Sequence, residues 1–344
     1  MSALSPAVAV DAMGGDHAPE ALVAGSLAAL HEERDLRLIL VGPREQLNPL
    51  VAESAAELGG RLILEESDGA IPMGAHPAQS VRSQPRSSVA VMVQTLGSGQ
   101  ADACFSAGNS GATMAAALLH LRRMPGVARP AIGTVFPSRW GSTLLVDAGA
   151  QVDCRPEWLA QFAQLGSEYA QLVLGVERPR IGLLSNGEES SKGNALVQAA
   201  HELISKLGLR YLGPVEGTDL VSGKVDVVVA DGFVGNVALK TAEGVADAII
   251  AALRQEATSG LRSRLGAFLL LPGLRRLRQR LDWSQVGGAP LLGVKGLVFI
   301  GHGRSDAGAV SSAVKVAAAA VRAGLSDAWQ SAMEPQLPAR VPGS

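Results

Sequence analysis

The chain has 344 residues, of which 47% are hydrophobic, 18% charged and 3% aromatic, and its formal net charge is −2. A chain of this length buries roughly three quarters of its unfolded surface, so its stability does not depend on disulfide bonds. The near-neutral charge gives no support to nucleic-acid binding, and the scarcity of aromatic residues argues against a stacking surface for single strands.

Two cysteines, Cys104 and Cys154, stand in different kinds of segment and form no metal-ligand spacing. We therefore expect a reducing, cytoplasmic location and no metal site. Residues Met1 to Pro6 contain no basic region followed by a long apolar stretch, so we expect no signal peptide. The uninterrupted apolar runs are too short to span a bilayer.

Short apolar segments alternate along the chain with longer segments of helical periodicity. Most of the short segments are uniformly apolar, which is typical of strands that helices cover on both faces. The pattern predicts an α/β fold, a three-layer α/β/α sandwich with a mostly parallel sheet, in one domain of residues 1–330. The predicted strands are Val8–Ala12, Leu36–Val41, Leu62–Leu64, Ala103–Ser106, Ile132–Phe136, Thr143–Val146, Ile181–Leu184, Val225–Ala230 and Leu297–Ile300.

Residues 241–282 predict a projecting amphipathic helical hairpin. A polar-faced helical pattern covers Glu243–Leu265, and the apolar segment that follows, Leu265–Gly273, contains both helix breakers. Leucines then recur at helical spacing among basic residues over Leu274–Leu281. The hairpin is therefore expected to have an apolar tip and basic flanks.

We expect Phe268 and Leu270, at the tip of this hairpin, to contact lipid, and the basic flanks to attract an acidic carrier protein or anionic lipid. The same face is alternatively a dimer interface, and both contacts are compatible. Residues 331–344 are expected to form a disordered tail. The basic residues are Arg262, Arg264, Arg275, Arg276, Arg278 and Arg280.

The predicted strands run into loops rich in glycine and polar residues. Since the carboxyl ends of parallel strands lie at one edge of a sheet, we expect these loops to converge there. Glycine permits close approach to an anion, and the helix that follows offers unpaired N–H groups. Each loop alone could be an ordinary tight turn, but the set predicts a phosphate site. The loops are Met13–His17, Gly108–Gly111, Asp147–Ala150, Asn186–Asn194, Asp231–Asn236 and Gly301–Ser305.

Two nucleotide-binding motifs are missing from these loops. Asn186–Asn194 is not a P-loop, because its lysine precedes the glycine. Gly301-His302-Gly303 has Asp306 where a dinucleotide fingerprint requires its third glycine. The sequence thus favours phosphate over ATP or NAD.

Taken together, the loop segments resemble those of the bacterial acyl-acyl-carrier-protein:phosphate acyltransferase family of phospholipid synthesis. The matching segments follow the family order over nearly the whole chain. They are Val10–Pro19, Ser106–Gly111, Val146–Ala150, Val152–Pro156, Gly187–Glu189, Lys192–Asn194, Val215–Gly217, Asp231–Asn236 and Gly287–Gly293.

The resemblance implies a Rossmann-like enzyme that converts a long-chain acyl thioester of acyl carrier protein and orthophosphate to acyl phosphate and free carrier protein. It also implies a homodimer without a redox cofactor, attached peripherally to the inner face of the membrane. Several positions depart from the family pattern. Asn186 replaces a common apolar residue, Thr218 a common arginine, and Arg304 and Asp306 differ from the usual small or amide residues after His302. A lysine-rich stretch before a Ser-Ser pair is replaced by Arg82–Ser88, where only two arginines supply charge. We therefore rank this loop last among the candidate sites.

Four side chains are the catalytic candidates. His17 could position phosphate or protonate the leaving pantetheine thiolate, and Lys192 is the best cation for phosphate. Asn109 and Asn236 could donate hydrogen bonds to phosphate or to the oxyanion. No Ser-His-Asp or Cys-His arrangement is evident, so we expect phosphate to attack the thioester directly.

The remaining candidates are residues of the same loops, expected to bind phosphate or to support its binding. The carboxylates would repel phosphate if bare, so we expect them to orient His17, Lys192 or backbone amides, or to cap helices. The set comprises Asp11, Gly14, Gly15, Asp16, Gly108, Ser110, Gly111, Asp147, Glu188, Gly193, Asn194, Asp231, Gly232, Gly235 and His302.

Other functions remain open at this point. One is a phosphotransacetylase-like enzyme that uses short acyl-CoA, and another is a non-catalytic membrane-associated scaffold for lipid synthesis. A decarboxylating dehydrogenase of similar fold is a weaker alternative.

Overall fold

The computed structural model describes residues 5–260 and 287–334, together with residues 263, 264, 266, 267, 269, 270 and 273. The strands are β1 (Ala7–Asp11), β2 (Arg37–Gly42), β3 (Leu62–Glu66), β4 (Ala103–Ser106), β5 (Ala131–Ser138), β6 (Gly141–Val146), β7 (Ile181–Leu184), β8 (Tyr211–Val215), β9 (Val227–Val229), β10 (Ala289–Leu292) and β11 (Leu297–Ile300). The helices are α1 (Glu20–Glu32), α2 (Arg44–Leu58), α3 (Pro77–Ser83), α4 (Ser88–Gly97), α5 (Ser110–His120), α6 (Pro156–Leu172), α7 (Ala195–Ile204), α8 (Asp219–Ser222), α9 (Gly232–Thr258), α10 (Ala307–Arg322) and α11 (Leu325–Met333).

All these strands form one 11-stranded sheet in the order β3-β2-β1-β4-β11-β10-β5-β6-β9-β7-β8. Helices pack on both faces, because successive side chains of a strand point to opposite sides. Val8 and Val10 lie in one apolar core with the helix residues Leu22 and Trp329, whereas Ala9 lies in a second core across the sheet. The predicted three-layer α/β/α sandwich with a mostly parallel sheet is confirmed.

The direction of the strands changes near the middle of the sheet. The five strands from β3 to β11 are mutually parallel, and so are the four from β6 to β8. Between these groups, β10 and β5 make three successive antiparallel pairings. The two parallel groups therefore point in opposite directions.

This reversal corrects the expectation that the glycine-rich loops converge at one edge. The loops after β1, β4 and β11 leave one edge of the sheet, and those after β6, β7 and β9 leave the opposite edge. The sequence pattern could not reveal the change, because a buried strand has the same composition whether its neighbour is parallel or antiparallel.

Every predicted strand matches within two residues at each end, but β8 and β10 were missed. Each carries a proline, Pro214 or Pro290. Proline cannot donate to the ladder and argues against a central strand in a sequence pattern. Pro214 lies in β8, the last strand of the sheet. One side of this strand has no neighbouring strand, so a residue without a backbone N–H is tolerated there.

The predicted hairpin is only partly described. The helix α9 spans 27 residues and starts at Gly232, earlier than the pattern indicated, and only Gly232 and Gly235 within it are buried. Arg264 and Leu270 are described and exposed. Phe268, Arg262, Arg275, Arg276, Arg278 and Arg280 lie outside the described residues.

The helix α11 continues to Met333. The expectation of a disordered tail from residue 331 is therefore wrong for residues 331–333, because Met333 packs into the core. Residues 335–344 lie outside the described part of the chain. Among described residues, no single helix is long and apolar enough to cross a membrane, although the bent pair of α10 and α11 meets both criteria together.

Candidate functional site

A hydrogen-bonded cluster joins the carboxyl ends of β1 and β4. Asp11 and Ser106 are register partners on these two strands. The Ser106 hydroxyl donates to Asp11 Oδ2 at 2.7 Å, and Gly108 N donates to the same hydroxyl at 3.1 Å. Both side chains are buried. We call Asp11, Gly14, Ser106 and Gly108 the β1–β4 cluster.

Burial raises the pKa of the Asp11 carboxyl, and the hydrogen bonds from neighbouring hydroxyls and amides only partly offset that rise. Ser106 was not among the predicted site residues. The signal for it was available, since it ends a predicted strand just as Asp11 lies near the end of another. Only their pairing in the sheet makes them neighbours.

Gly14 allows the two loops of this cluster to cross. A Cβ at position 14 would lie 2.7 Å from both Asp11 Oδ2 and Gly108 N. No real side-chain carbon is tolerated at that separation from a backbone atom. Gly14 and Gly108 therefore serve the close approach of two protein segments, and any anion would bind in front of this crossing.

Asn109 has a visible structural role next to the cluster. Its Oδ1 accepts a hydrogen bond from Ala112 N at 3.0 Å and caps α5. Its Nδ2 donates to the carbonyls of Met73 (2.8 Å) and Pro72 (3.3 Å). Both hydrogens of the Asn109 side-chain amide thus bond to carbonyls of the 72–75 segment, which leaves none for substrate. A direct contact between Asn109 and substrate stays a prediction, and this geometry does not favour it.

The first-turn amides of Ser110 and Gly111 have no acceptor within α5, as in any helix. Ser110 is exposed, so these amides are available to an anion in front of the cluster. His17 and His302 lie on loops at the same edge and are both exposed. The loops that carry them are joined by a hydrogen bond from Asp16 N to Gly303 O at 2.7 Å.

The opposite edge is organised around Asp147, which is completely buried at the end of β6. Its carboxylate accepts hydrogen bonds from four backbone amides. The donors are Ile132 (2.9 Å), Gly149 (3.1 Å), Ala150 (3.0 Å) and Gln151 (2.7 Å). Burial still raises its pKa. Asp147 thus orients backbone amides, as expected for a carboxylate that does not contact phosphate.

The first turn of α9 lies directly on this loop. A Cβ on Gly235 would lie 1.9 Å from the Asp147 carbonyl oxygen, and one on Gly232 would lie 2.7 Å from Asp147 Oδ2. Asp231 caps the helix by accepting from Val234 N at 2.9 Å. The expectation that these carboxylates orient amides or cap helices is confirmed for Asp147 and Asp231. We call Asp147, Gly149, Gly232, Gly235 and Asn236 the β6–β9 cluster.

The loop after β7 holds itself in place through asparagine side chains. Asn186 Oδ1 accepts from Gly193 N at 2.9 Å, and Asn194 caps α7. Lys192 is exposed and forms no ion pair with any described residue. Glu188 pairs with Lys224 at 2.6 Å, so the expectation that it orients Lys192 is wrong.

The four catalytic candidates do not meet in this chain. His17 and Asn109 lie at the edge of the β1–β4 cluster, whereas Lys192 and Asn236 lie at the other edge with the β6–β9 cluster. Four strand spacings separate β4 from β6, which amounts to about 19 Å. One phosphate ion cannot contact both groups within one chain.

Neither cysteine suits a nucleophile. Cys104 is buried in β4, and burial raises the pKa of its thiol. Burial also raises the pKa of Cys154 to about 12. Both thiols therefore stay protonated near neutral pH and are poor nucleophiles. Among the described residues, no group of three histidine, cysteine or carboxylate side chains is placed to hold a metal ion.

Comparison with known proteins identifies relatives over nearly the full chain. Residues 7–328 match the family model described as fatty acid synthesis protein. A phosphate acyltransferase of Pelotomaculum thermopropionicum is 45% identical over 95% of both chains. Another, from Nostoc punctiforme, is 46% identical over 91% of this chain and 92% of its own.

Solved structures share the fold at much lower identity. A phosphotransacetylase from Streptococcus pyogenes is 17% identical and superposes with a TM-score of 0.61, over 92% of this chain and 94% of its own. The EutD phosphotransacetylase from Staphylococcus aureus is 16% identical with a TM-score of 0.58, over the same shares. This likeness concerns the architecture alone.

Proposed function

Because the chain belongs to the fatty acid synthesis protein family, and its curated relatives are named phosphate acyltransferases, we propose that it transfers a long-chain fatty acyl group from acyl carrier protein to orthophosphate. The products are acyl phosphate and free carrier protein. In this step a phosphate oxygen forms a bond to the thioester carbonyl carbon. The carbon–sulfur bond then breaks, and the pantetheine sulfur leaves as a thiolate that takes up a proton.

The β1–β4 cluster is the observation that supports this function most directly. Two loops cross there in front of the N-terminus of α5, and two exposed histidines flank the crossing. The open amides of α5 are suited to stabilise the oxyanion that forms on the thioester carbonyl, and a histidine is suited to protonate the departing thiolate. We assign that proton transfer to His17 and a supporting position to His302.

Direct attack by phosphate on the thioester agrees with the protonated state of the two cysteine thiols. An acyl-enzyme route would need an activated nucleophile, and burial keeps both cysteines protonated. Phosphate is already partly dianionic near neutral pH, so the protein has to position it and remove part of its water shell. Lys192 and Asn236 lie too far from this edge to act on the same phosphate ion, and their catalytic roles stay predictions.

The thiol-release assay tests the function. We expect the protein to release free carrier-protein thiol from a long-chain acyl thioester only when orthophosphate is added. Release without phosphate would indicate a thioesterase and would overturn the proposed reaction. Faster turnover with short acyl-CoA than with acyl carrier protein would favour the phosphotransacetylase-like alternative, and no turnover with either would favour the scaffold.

We further propose that the hairpin of residues 241–282 makes the contact with carrier protein, membrane or a second subunit. On α9 itself, Val245, Ile249 and Leu253 recur every four residues and are 49–55% exposed. An exposed apolar stripe of this kind marks a protein or lipid contact. Leu269 and Leu270, further along, are 71% and 63% exposed. We infer from these features a peripheral attachment to an anionic membrane surface from the cytoplasmic side, and a homodimer.

Leu270→Glu is expected to reduce co-flotation of the protein with anionic liposomes, because it places a negative charge on the apolar tip. Activity on a soluble substrate should be retained. Leu212→Glu, an exposed leucine on β8, is the matched control and should float like the wild type. Equal flotation of the Leu270 variant and the wild type would refute the membrane contact.

A further inference from the structure

The N-terminus of α4 is buried without the partners that a helix end requires. Ser87 is its N-cap residue, and its side chain makes no capping hydrogen bond. Ser88 N is bonded to Gly69 O at 2.8 Å, but the amides of Val89 and Ala90 have no acceptor among the described residues. Both of these residues are buried. A buried helix end with open amides calls for a ligand or ordered water.

Unpartnered hydroxyls surround the same helix end. Ser67 is 1% exposed, Ser87 4% and Ser88 0%, and the hydroxyl of each makes no hydrogen bond of ordinary geometry with any described residue. They are neighbours, because residues 67–69 run beside residues 86–88 through hydrogen bonds of 2.8 Å from Asp68 N to Arg86 O and from Ser88 N to Gly69 O. Buried hydroxyls without partners are rare, because each costs free energy.

This buried helix end lies next to the β1–β4 cluster. Ser88 lies near enough to the Asp11 carboxyl to lower its pKa, although it forms no regular hydrogen bond with it. Asp11 in turn accepts from Ser106. Two exposed arginines precede the helix end in the chain, Arg82 and Arg86, and Arg86 pairs with Asp68 at 3.1 Å.

We propose that the N-terminus of α4, with the hydroxyls of Ser67, Ser87 and Ser88, is the subsite that holds orthophosphate for attack on the thioester. The inference rests on the proposed function. It adds to the site Ser87 and Ser88, which belong to the Arg82–Ser88 loop that the sequence analysis ranks last. An anion with several acceptor oxygens satisfies open amides and hydroxyls together, which no single side chain at this position does. Asp11 contributes a donor when its carboxyl is protonated, and burial favours that form.

The Gly69–Ala75 segment lies against this helix end. Gly69 O accepts from Ser88 N, and further along the segment Asn109 Nδ2 donates to the carbonyls of Pro72 and Met73. Asn109 is therefore a positioning residue for the segment beside the subsite.

Steady-state kinetics of the full chain test the subsite. We expect Ser87→Ala and Ser88→Ala each to raise the KM for orthophosphate about tenfold, because each removes a hydrogen bond to a charged ligand. The KM for the acyl carrier protein substrate should stay within twofold of wild type. Ser87→Thr keeps the hydroxyl and should retain the wild-type KM for phosphate.

Matched controls exist elsewhere in the chain. Ser26 on α1 and Ser311 on α10 are also buried hydroxyls without a partner, so Ser26→Ala and Ser311→Ala make the same chemical change away from the subsite. Both should leave the KM for phosphate unchanged. The subsite is refuted if Ser87→Ala and Ser88→Ala leave the KM for phosphate unchanged, as the controls do, while the wild type still requires phosphate. Water alone would then satisfy the N-terminus of α4.

Different results would refute the proposed function and the phosphate subsite. If the wild type releases thiol without phosphate, the proposed function is wrong regardless of the serines. Thermal unfolding provides a reading that does not depend on turnover. Inorganic phosphate should raise the melting temperature of the wild type and of Ser26→Ala, but not that of Ser87→Ala. An equal rise in all three would contradict the subsite.

Discussion

Asp147→Ala is expected to lower the free energy of unfolding by about 3 kcal/mol. The wild-type carboxylate accepts from four backbone amides, at distances from 2.7 to 3.1 Å. Losing an acceptor costs about 1 kcal/mol or more for each buried donor. Part of this loss is recovered, because burial of the carboxyl is itself unfavourable and raises its pKa. The net effect remains large, since alanine offers no acceptor at all.

Denaturation with guanidinium chloride, followed by circular dichroism, measures this effect. Asp153→Ala is the matched control, because Asp153 is an exposed aspartate on the same loop and should change stability by less than about 0.5 kcal/mol. Asp147→Asn should lower the free energy of unfolding by an amount between those of Asp147→Ala and Asp153→Ala. Its amide oxygen still accepts hydrogen bonds, but its amide nitrogen is a donor that faces other donors. A loss below about 1 kcal/mol for Asp147→Ala would mean that water replaces the carboxylate at the four amides.

Gly235→Ala should destabilise the protein by about 3 kcal/mol or more, through overpacking. The added Cβ would lie 1.9 Å from the carbonyl oxygen of Asp147 and 3.0 Å from its carbonyl carbon. Both are backbone atoms, so no side-chain rotation relieves the contact. The first turn of α9 has to move away from the β6 loop, and the capping bond from Val234 N to Asp231 is strained with it.

Gly244→Ala in the same helix provides the opposite case. A Cβ there meets nothing within 4 Å. Alanine is a better helix former than glycine, so this change should stabilise the protein by about 0.5 to 1 kcal/mol. Thermal and chemical unfolding of Gly235→Ala and Gly244→Ala, measured side by side, would test both expected changes in stability. Comparable stabilities for both would show that the α9 N-terminus is not seated on Asp147 as described.

The comparison of sequence and structure separates local from long-range information. β4, β7 and β11 have the predicted bounds, because a short, uniformly apolar run is recognisable without its neighbours. β8 and β10 were missed because Pro214 and Pro290 contradict a strand locally. Only the sheet order shows that Pro214 lies in an end strand, where a proline is tolerated. The family resemblance rested on loop segments in order, and relatives at 44 to 46% identity confirm it.

The candidate site was predicted less well than the fold. Helix caps such as Asn194 and Asp231 follow from local chemistry, and the structure places them as caps. The partner of Glu188 is Lys224, 36 residues away, and local spacing carries no information on such a pair. Ser106 and Ser88 likewise gain their importance from Asp11, which lies far away in the sequence.

By itself, the sequence determined the fold class, the family and the chemical character of the loops, because apolar runs, glycines and caps act over a few residues. Only the tertiary structure decided which loops share an edge of the sheet. Three successive antiparallel pairings, from β11 through β10 and β5 to β6, send the loops of His17 and Lys192 to opposite edges, and strand direction leaves no mark in composition. The tertiary structure also buried Ser87 and Ser88 of the Arg82–Ser88 segment at an open helix end, since burial depends on which segments pack over a residue.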